Sequence, residues 1–313
     1  MDRRVFLWTV ARSVLIGVAV AILTVISAPA HAFEPGAHPP FGAGATDGIP
    51  IGAIPPAGFY LSSLTTYGEG KFHADSRPGG PNTQSSFGEG LTGQWVPDFT
   101  FWGARSAAFI QQVLIVRTVT GLPPRGDTQT ESGLDNTLIS PLNLAWTLPD
   151  DFWLSARFAF YPPDGQYHRK NRVNIANNFW AFEPNVGISY LKGGLDLSVH
   201  LVYDIETENT NSNAPGNVHG KYQSGDVFTA DYSASYAIRK WRFGVTGWGV
   251  QQTTNDSVGG RTLRGTQLSK VGIGPLIEYN TTWIGINLYY VHDVVWRGAF
   301  GGDKFFLRAT IKF

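Results

Sequence analysis

Hydrophobic and polar residues alternate with period two along most of the chain. Leu195, Leu197, Val199, Leu201, Tyr203 and Ile205 interleave with Asp196, Ser198, His200, Val202, Asp204 and Glu206. Phe228, Ala230, Tyr232, Ala234, Tyr236 and Ile238 interleave with Thr229, Asp231, Ser233, Ser235 and Arg239. The chain ends the same way: Phe305, Leu307, Ala309, Ile311 and Phe313 on one face, Arg308, Thr310 and Lys312 on the other. This period is that of β-strands with one apolar and one polar face. It predicts twelve strands, at about 57–68, 86–97, 104–119, 136–148, 152–162, 178–191, 195–208, 223–238, 241–254, 266–281, 283–297 and 302–313. The third departs from the rule, because Ala107 to Val116 is apolar on both faces except at Gln111 and Gln112.

The connectors alternate too. Those around Leu148–Asp151, Lys192–Gly194, Arg239–Trp241 and Thr281–Trp283 are tight turns. Those at 69–85, 120–135, 163–177, 209–222 and 255–265 are long and rich in Gly, Pro, Asn and Ser. Short turns on one rim and long loops on the other predict an all-β fold, a transmembrane antiparallel up-and-down β-barrel with short periplasmic turns and longer extracellular loops. In lipid no strand edge can stay unpaired, so the last strand is expected to close on the first, around Phe59 to Tyr67. Trp95, Trp102, Trp146, Trp153, Trp180, Trp241, Trp283 and Trp296 sit near strand ends, as interfacial aromatic girdles do.

Composition agrees. Charged residues are 15% against about 25% in soluble domains. The 24 basic and 24 acidic residues cancel, which gives no footprint for nucleic acid. Cysteine is absent, which excludes disulfides and thiolate chemistry. Arg3 and Arg4, the apolar run Val14–Ile26 and the small residues Ala30-His31-Ala32 read as a secretory signal peptide over 1–32, cut after Ala32. Residues 33–56 are rich in Pro and Gly and fit neither strand nor helix. They are expected to be an N-terminal extension, either a periplasmic tail or a segment tucked into the lumen, ahead of a barrel domain at 57–313.

Catalytic signatures are missing: no G-x-S-x-G, no H-E-x-x-H, no Gly-rich phosphate loop and no calcium-loop spacing. His200 and Ser198 share a strand face about 7 Å apart, too far for a nucleophile and its base. His200 is instead expected to pair with a neighbouring carboxylate. No catalytic, metal or cofactor site is predicted. The inward phase nominates Arg157, Glu183, Asn185, Asp196, His200, Asp204, Asp231, Arg242, Glu278, Arg308 and Lys312 as lumen-lining. Both signs occur, as suits cross-strand ion pairs inside a narrow barrel.

Several segments resemble the outer-membrane transporter family associated with the meta-cleavage pathway of phenol degradation. They are Ile54-Pro55-Pro56-Ala57-Gly58-Phe59-Tyr60, Pro162-Pro163-Asp164-Gly165-Gln166-Tyr167, Asn177-Asn178-Phe179-Trp180, Gly249 to Asp256 and Gly272-Ile273-Gly274-Pro275. The resemblance covers nearly all of 33–313 and implies a barrel for uptake of aromatic or other hydrophobic compounds. It supplies no catalytic residues. The expectation is therefore a monomeric outer-membrane channel passing small hydrophobic or aromatic solutes, with aromatics such as Tyr161, Tyr167, Trp296 and Phe300 near its mouth. Its expected partners are outer-membrane lipid and, through Phe313, the barrel-assembly machinery. The alternatives are a surface protein that binds through its loops and a lipid hydrolase using His200.

Overall fold

A computed structural model of the chain describes residues 33–34, 36–72, 82–122, 125–212 and 220–313. The expected signal peptide lies outside these. Among the described residues twelve strands form the barrel: β1 Gly58–Phe72, β2 Thr83–Val96, β3 Ala104–Leu122, β4 Leu138–Thr147, β5 Phe152–Tyr161, β6 Ala181–Lys192, β7 Leu195–Glu206, β8 Val227–Ile238, β9 Trp241–Gln252, β10 Ser269–Asn280, β11 Ile284–Arg297 and β12 Phe300–Lys312. Each pairs antiparallel with its chain neighbours, and β12 closes on β1. The seam runs from Tyr60 opposite Lys312 to Phe72 opposite Phe300, and the Phe313 N–H donates to the Phe59 carbonyl at 2.9 Å.

The long connectors hold more structure than composition suggests. Within 120–135, Asp127–Leu134 is a strand paired with the end of β3, so a hairpin stands above the barrel. Tyr222–Gln223, Ser257–Val258 and Arg261–Thr262 form a small sheet from two loops. The segment 163–177 turns into the barrel mouth, where Val173 packs on Val119 and Leu122.

Outward positions are apolar and exposed, as lipid requires: Leu61, Leu91, Ile110, Leu114, Phe243, Leu288, Phe305 and Leu307 among them. At the turn rim Phe59, Trp95, Trp102, Trp241 and Trp283 are exposed, and Phe59 stacks on Trp95 at 6.4 Å. Glu69 and Asp303 share this face near the loop rim, and one carboxylate breaks the pattern deeper in the belt. Glu89 shares its outward face with Phe87, Leu91 and Trp95. At about 2.5 Å of height per tilted residue it lies roughly 15 Å above the Trp95 girdle. Its two oxygens accept from Ser63 Oγ and Thr65 Oγ1, both at 2.5 Å, across the β1–β2 pair. The hydroxyls supply what lipid cannot.

Residues 36–56 run through the lumen from the loop rim to the turn rim. Proline and glycine bar this segment from the strand ladder. It folds instead as successive turns, Ala45 N–H to Gly42 O, Asp47 N–H to Gly44 O and Ile49 N–H to Thr46 O. Gly44 has φ 88°, and a Cβ there would meet the Trp248 ring at 2.8 Å. Of the two placements open from sequence, the lumen is the one observed.

Candidate functional site: the lumen and the segment inside it

A buried backbone without ladder partners must find them elsewhere. The barrel wall supplies them at three heights.

At the loop rim the Glu34 carboxylate accepts from Tyr167 Oη at 2.8 Å and Asn209 Nδ2 at 2.6 Å. The Asn177 amide donates to His38 O at 2.9 Å. Burial, and next the Glu34 carboxylate, push the Tyr167 phenol above its ordinary range.

At mid-height Asp204 accepts from Phe41 N–H at 3.3 Å. Asp231 accepts from Gly44 N–H at 3.0 Å, from Thr46 N–H at 3.2 Å and from Thr46 Oγ1 at 2.8 Å. Opposite, Arg308 donates to Asp47 O at 2.8 Å and Ala45 O at 2.6 Å, with its guanidinium over the Tyr289 ring. Tyr289 Oη donates to Gly44 O at 2.8 Å. Inward carboxylates thus take the segment's N–H groups while an inward guanidinium takes its carbonyls.

Near the turn rim Ser155 Oγ donates to Ile51 O at 2.7 Å and Gly52 N–H donates to Ser189 Oγ at 2.9 Å. Gly52 passes so close that a Cβ would lie 2.5 Å from Ser189 N and Trp153 O.

The remaining nominated residues fall into place around these contacts. His200 Nδ1 is 3.0 Å from Thr46 Oγ1, and Arg157 Nη2 is 3.2 Å from His200 Nε2. Because the Thr46 hydroxyl donates to Asp231, it accepts from Nδ1, while Nε2 faces both the Arg157 guanidinium and the Asn185 amide oxygen. The expected carboxylate partner of His200 is therefore corrected: its partners are a threonine and an arginine, with the Asn185 amide 3.1 Å from Nε2. Ser198 Oγ donates to Asp196 at 2.6 Å and meets Ser189, not His200. Arg157 pairs with Glu183 at 3.4 Å, and Glu183 also accepts from Tyr161 Oη and from Asn185 Nδ2. Arg242 bridges Asp196 at 3.3 Å and Glu278 at 3.2 Å. Lys312 lies over the Tyr60 ring at 5.7 Å.

Sequence reasoning missed Thr46, Tyr289, Ser155 and Ser189 in the contacts above. It also missed a Lys270–Asp293 pair at 2.9 Å, with Trp248 Nε1 donating to Asp293. Tyr289 and Asp293 share the inward phase of β11 with Asn287, so the same alternation marks them. Thr46 carries no such signal.

The segment does not fill the lumen. A cavity of 1620 Å³ remains, mainly between it and the β1–β3 wall, touching Phe72 and Phe300 at the loop rim and Trp283 and Lys312 at the turn rim. Its wall explains the third strand. Ile110, Leu114 and Val116 face lipid while Phe109, Val113, Ile115 and Val119 face the cavity. Small inward residues on β2, Gly88 and Gly90, widen it. Of the four aromatics expected at the mouth, Tyr161, Tyr167 and Phe300 line the cavity, with Phe300 edge-on to Phe72 at 5.4 Å, and Trp296 does not line it. Tyr161 and Tyr167 are tied to Glu183 and Glu34.

An apolar belt outside, a polar latch inside and a closed twelve-strand wall define an outer-membrane β-barrel. The chain belongs to the family described as the MetA-pathway of phenol degradation, whose model matches residues 66–309. No curated protein sequence matches the chain. Among solved structures, an outer membrane channel from Pseudomonas putida F1 is similar over 83% of this chain and 97% of its own, at 11% identity and a TM-score of 0.72. The translocator domain of the autotransporter NalP from Neisseria meningitidis matches over 83% and 90%, at 10% identity and a TM-score of 0.48. The first likeness speaks to the fold alone, and the second carries no argument.

Proposed function

We propose that the protein is a passive outer-membrane channel for small hydrophobic or aromatic molecules, which travel along the cavity between the fixed lumenal segment and the β1–β3 wall. The inward face of β3 carries this reading: Phe109, Val113, Ile115 and Val119, interrupted by Gln111 and Arg117, offer a largely apolar track where a barrel of this width otherwise shows polar side chains to its lumen. An apolar solute gains by leaving water for that track, and a charged solute of equal size does not. Membership of the phenol-degradation family supports the same solute class. Replacing Val113 and Ile115 by Asn tests it. Flux of an aromatic solute into proteoliposomes should fall while flux of a small sugar holds or rises. Equal effects on both solutes would remove the apolar track from the account.

Phe313 at the closing seam is proposed as the feature read by the barrel-assembly machinery, and the functional unit is proposed to be a monomer. Deleting Phe313 should slow membrane assembly without altering conductance of the barrels that do insert.

A further inference from the structure

The loop end of the lumenal segment meets buried acids with no basic side chain among their closest partners. Asp256, after β9, is fully buried. It accepts from Tyr222 Oη at 2.7 Å, Gly225 N–H at 2.9 Å, Gln252 Nε2 at 2.6 Å and the backbone N–H of Phe33. All four donors are neutral. Glu206, at the end of β7, is also buried. Apart from the Ser224 hydroxyl, no donor among the described residues faces its carboxylate, and the charges acting on it most strongly are Asp204, Asp256 and Asp226, all acids. A buried carboxyl so placed takes up either a proton or a cation.

Phe33 is the residue at which that cation would arise. Its ring is buried in the apolar cluster that includes Val227, Trp248, Val250 and Leu268, and its N–H bonds to Asp256. In the uncut chain this nitrogen is an amide with one proton. It stands in for what cleavage produces. Hydrolysis of the Ala32–Phe33 bond by the leader peptidase, with water as co-reactant, leaves a carboxylate on Ala32 and an ammonium with three protons on Phe33. The backbone agrees with a cut here. Phe33 has φ 72°, a region that bulky residues avoid because of the preceding carbonyl, and cleavage removes that carbonyl.

We propose that the α-ammonium freed at Phe33 is the cationic partner of Asp256, in a pocket where Glu206 adds a second acid, so that export processing itself supplies the bond that pins the outer end of the lumenal segment. The claim rests on the cut after Ala32 and is independent of what the channel passes. The site binds the chain's own processed terminus, much as a pocket binds a ligand amine.

The test uses the full-length protein exported to the outer membrane and purified folded. Sequencing should find Phe33 first. Acylation of the α-amine by an amine-selective reagent at neutral pH reads its free-base fraction. A pair that raises the amine's pKa by one unit slows the reaction about tenfold. We expect at least that protection in the native protein. It should be lost on inserting Gly-Ser between Ala32 and Phe33, which leaves the wall untouched, and reduced in Asp256→Asn. Heat-modifiable migration confirms that each variant is folded. A mature chain beginning elsewhere, or equal acylation rates in the native and inserted proteins, overturns the proposal.

Discussion

Asp231 on β8 holds Thr46 of the lumenal segment through two atoms at once, taking its backbone N–H at 3.2 Å and its hydroxyl at 2.8 Å. The same carboxylate takes Gly44 N–H. A charge-assisted bond contributes about 1.5–3 kcal/mol, so one side chain fixes the mid-height of the segment more firmly than several neutral contacts would. Asp231→Ala should therefore loosen the segment without opening the wall, whose ladder is independent of that side chain. Single-channel recording should show larger and noisier conductance with heat-modifiable migration retained. Arg308→Ala, which frees the carbonyls of Ala45 and Asp47, should move conductance the same way.

Near the turn rim, size rather than charge decides. A Cβ at Gly52 would overlap backbone atoms of Ser189 and Trp153, which belong to the strand wall and cannot yield. Gly52→Val should expel residues 50–53 from their seat and expose them to protease from the periplasmic side, while a Gly42→Ala control, with open space at that position, should leave digestion unchanged.

Glu89 tests the lipid-facing wall. Replacing Ser63 by Ala and Thr65 by Val should strand its carboxylate in the apolar belt. Leaving a buried acceptor unmet costs about 1–3 kcal/mol, more for a charge. Guanidinium unfolding from lipid vesicles should show that loss, and adding Glu89→Leu to the pair should restore stability, since removing both partners of a bond is close to neutral.

The phenols at the loop rim set a pH limit. Burial leads the causes that raise Tyr167 and Tyr222, followed by the Glu34 and Asp256 carboxylates respectively. A group whose folded pKa is raised contributes stability that is full below its unfolded value, about 10 for tyrosine, and that drains away as pH climbs through the folded value. The loop cluster should thus hold at pH 10 and fail only in stronger alkali. Tyrosinate absorbance should show late-titrating phenols, one fewer in Tyr167→Phe.

The wall was legible from sequence because its physics is periodic. Lipid outside and water or polar chain inside impose alternation, so all twelve strands could be read from every second residue, and closure of the last on the first followed because lipid leaves no strand edge unpaired. Residues 33–56 impose no period. Their place follows from matching individual donors and acceptors, such as Thr46 with Asp231 and Gly52 with Ser189, which only three-dimensional proximity reveals. His200 illustrates the difference. Its inward phase was readable, but its partners, Thr46 from the lumenal segment and Arg157 from β5, were not. The apolar residues on the inner face of β3, which break the alternation, are accounted for by the cavity beside them. Glu89 is the converse, a true break in the outer face that Ser63 and Thr65 make tolerable.

Flux of an uncharged aromatic solute through the purified protein in liposomes is the most direct test of the account. It predicts entry well above protein-free vesicles, falling when Val113 and Ile115 are made polar. Folded, inserted protein that admits ions or sugars but carries the aromatic no faster than empty vesicles would contradict it.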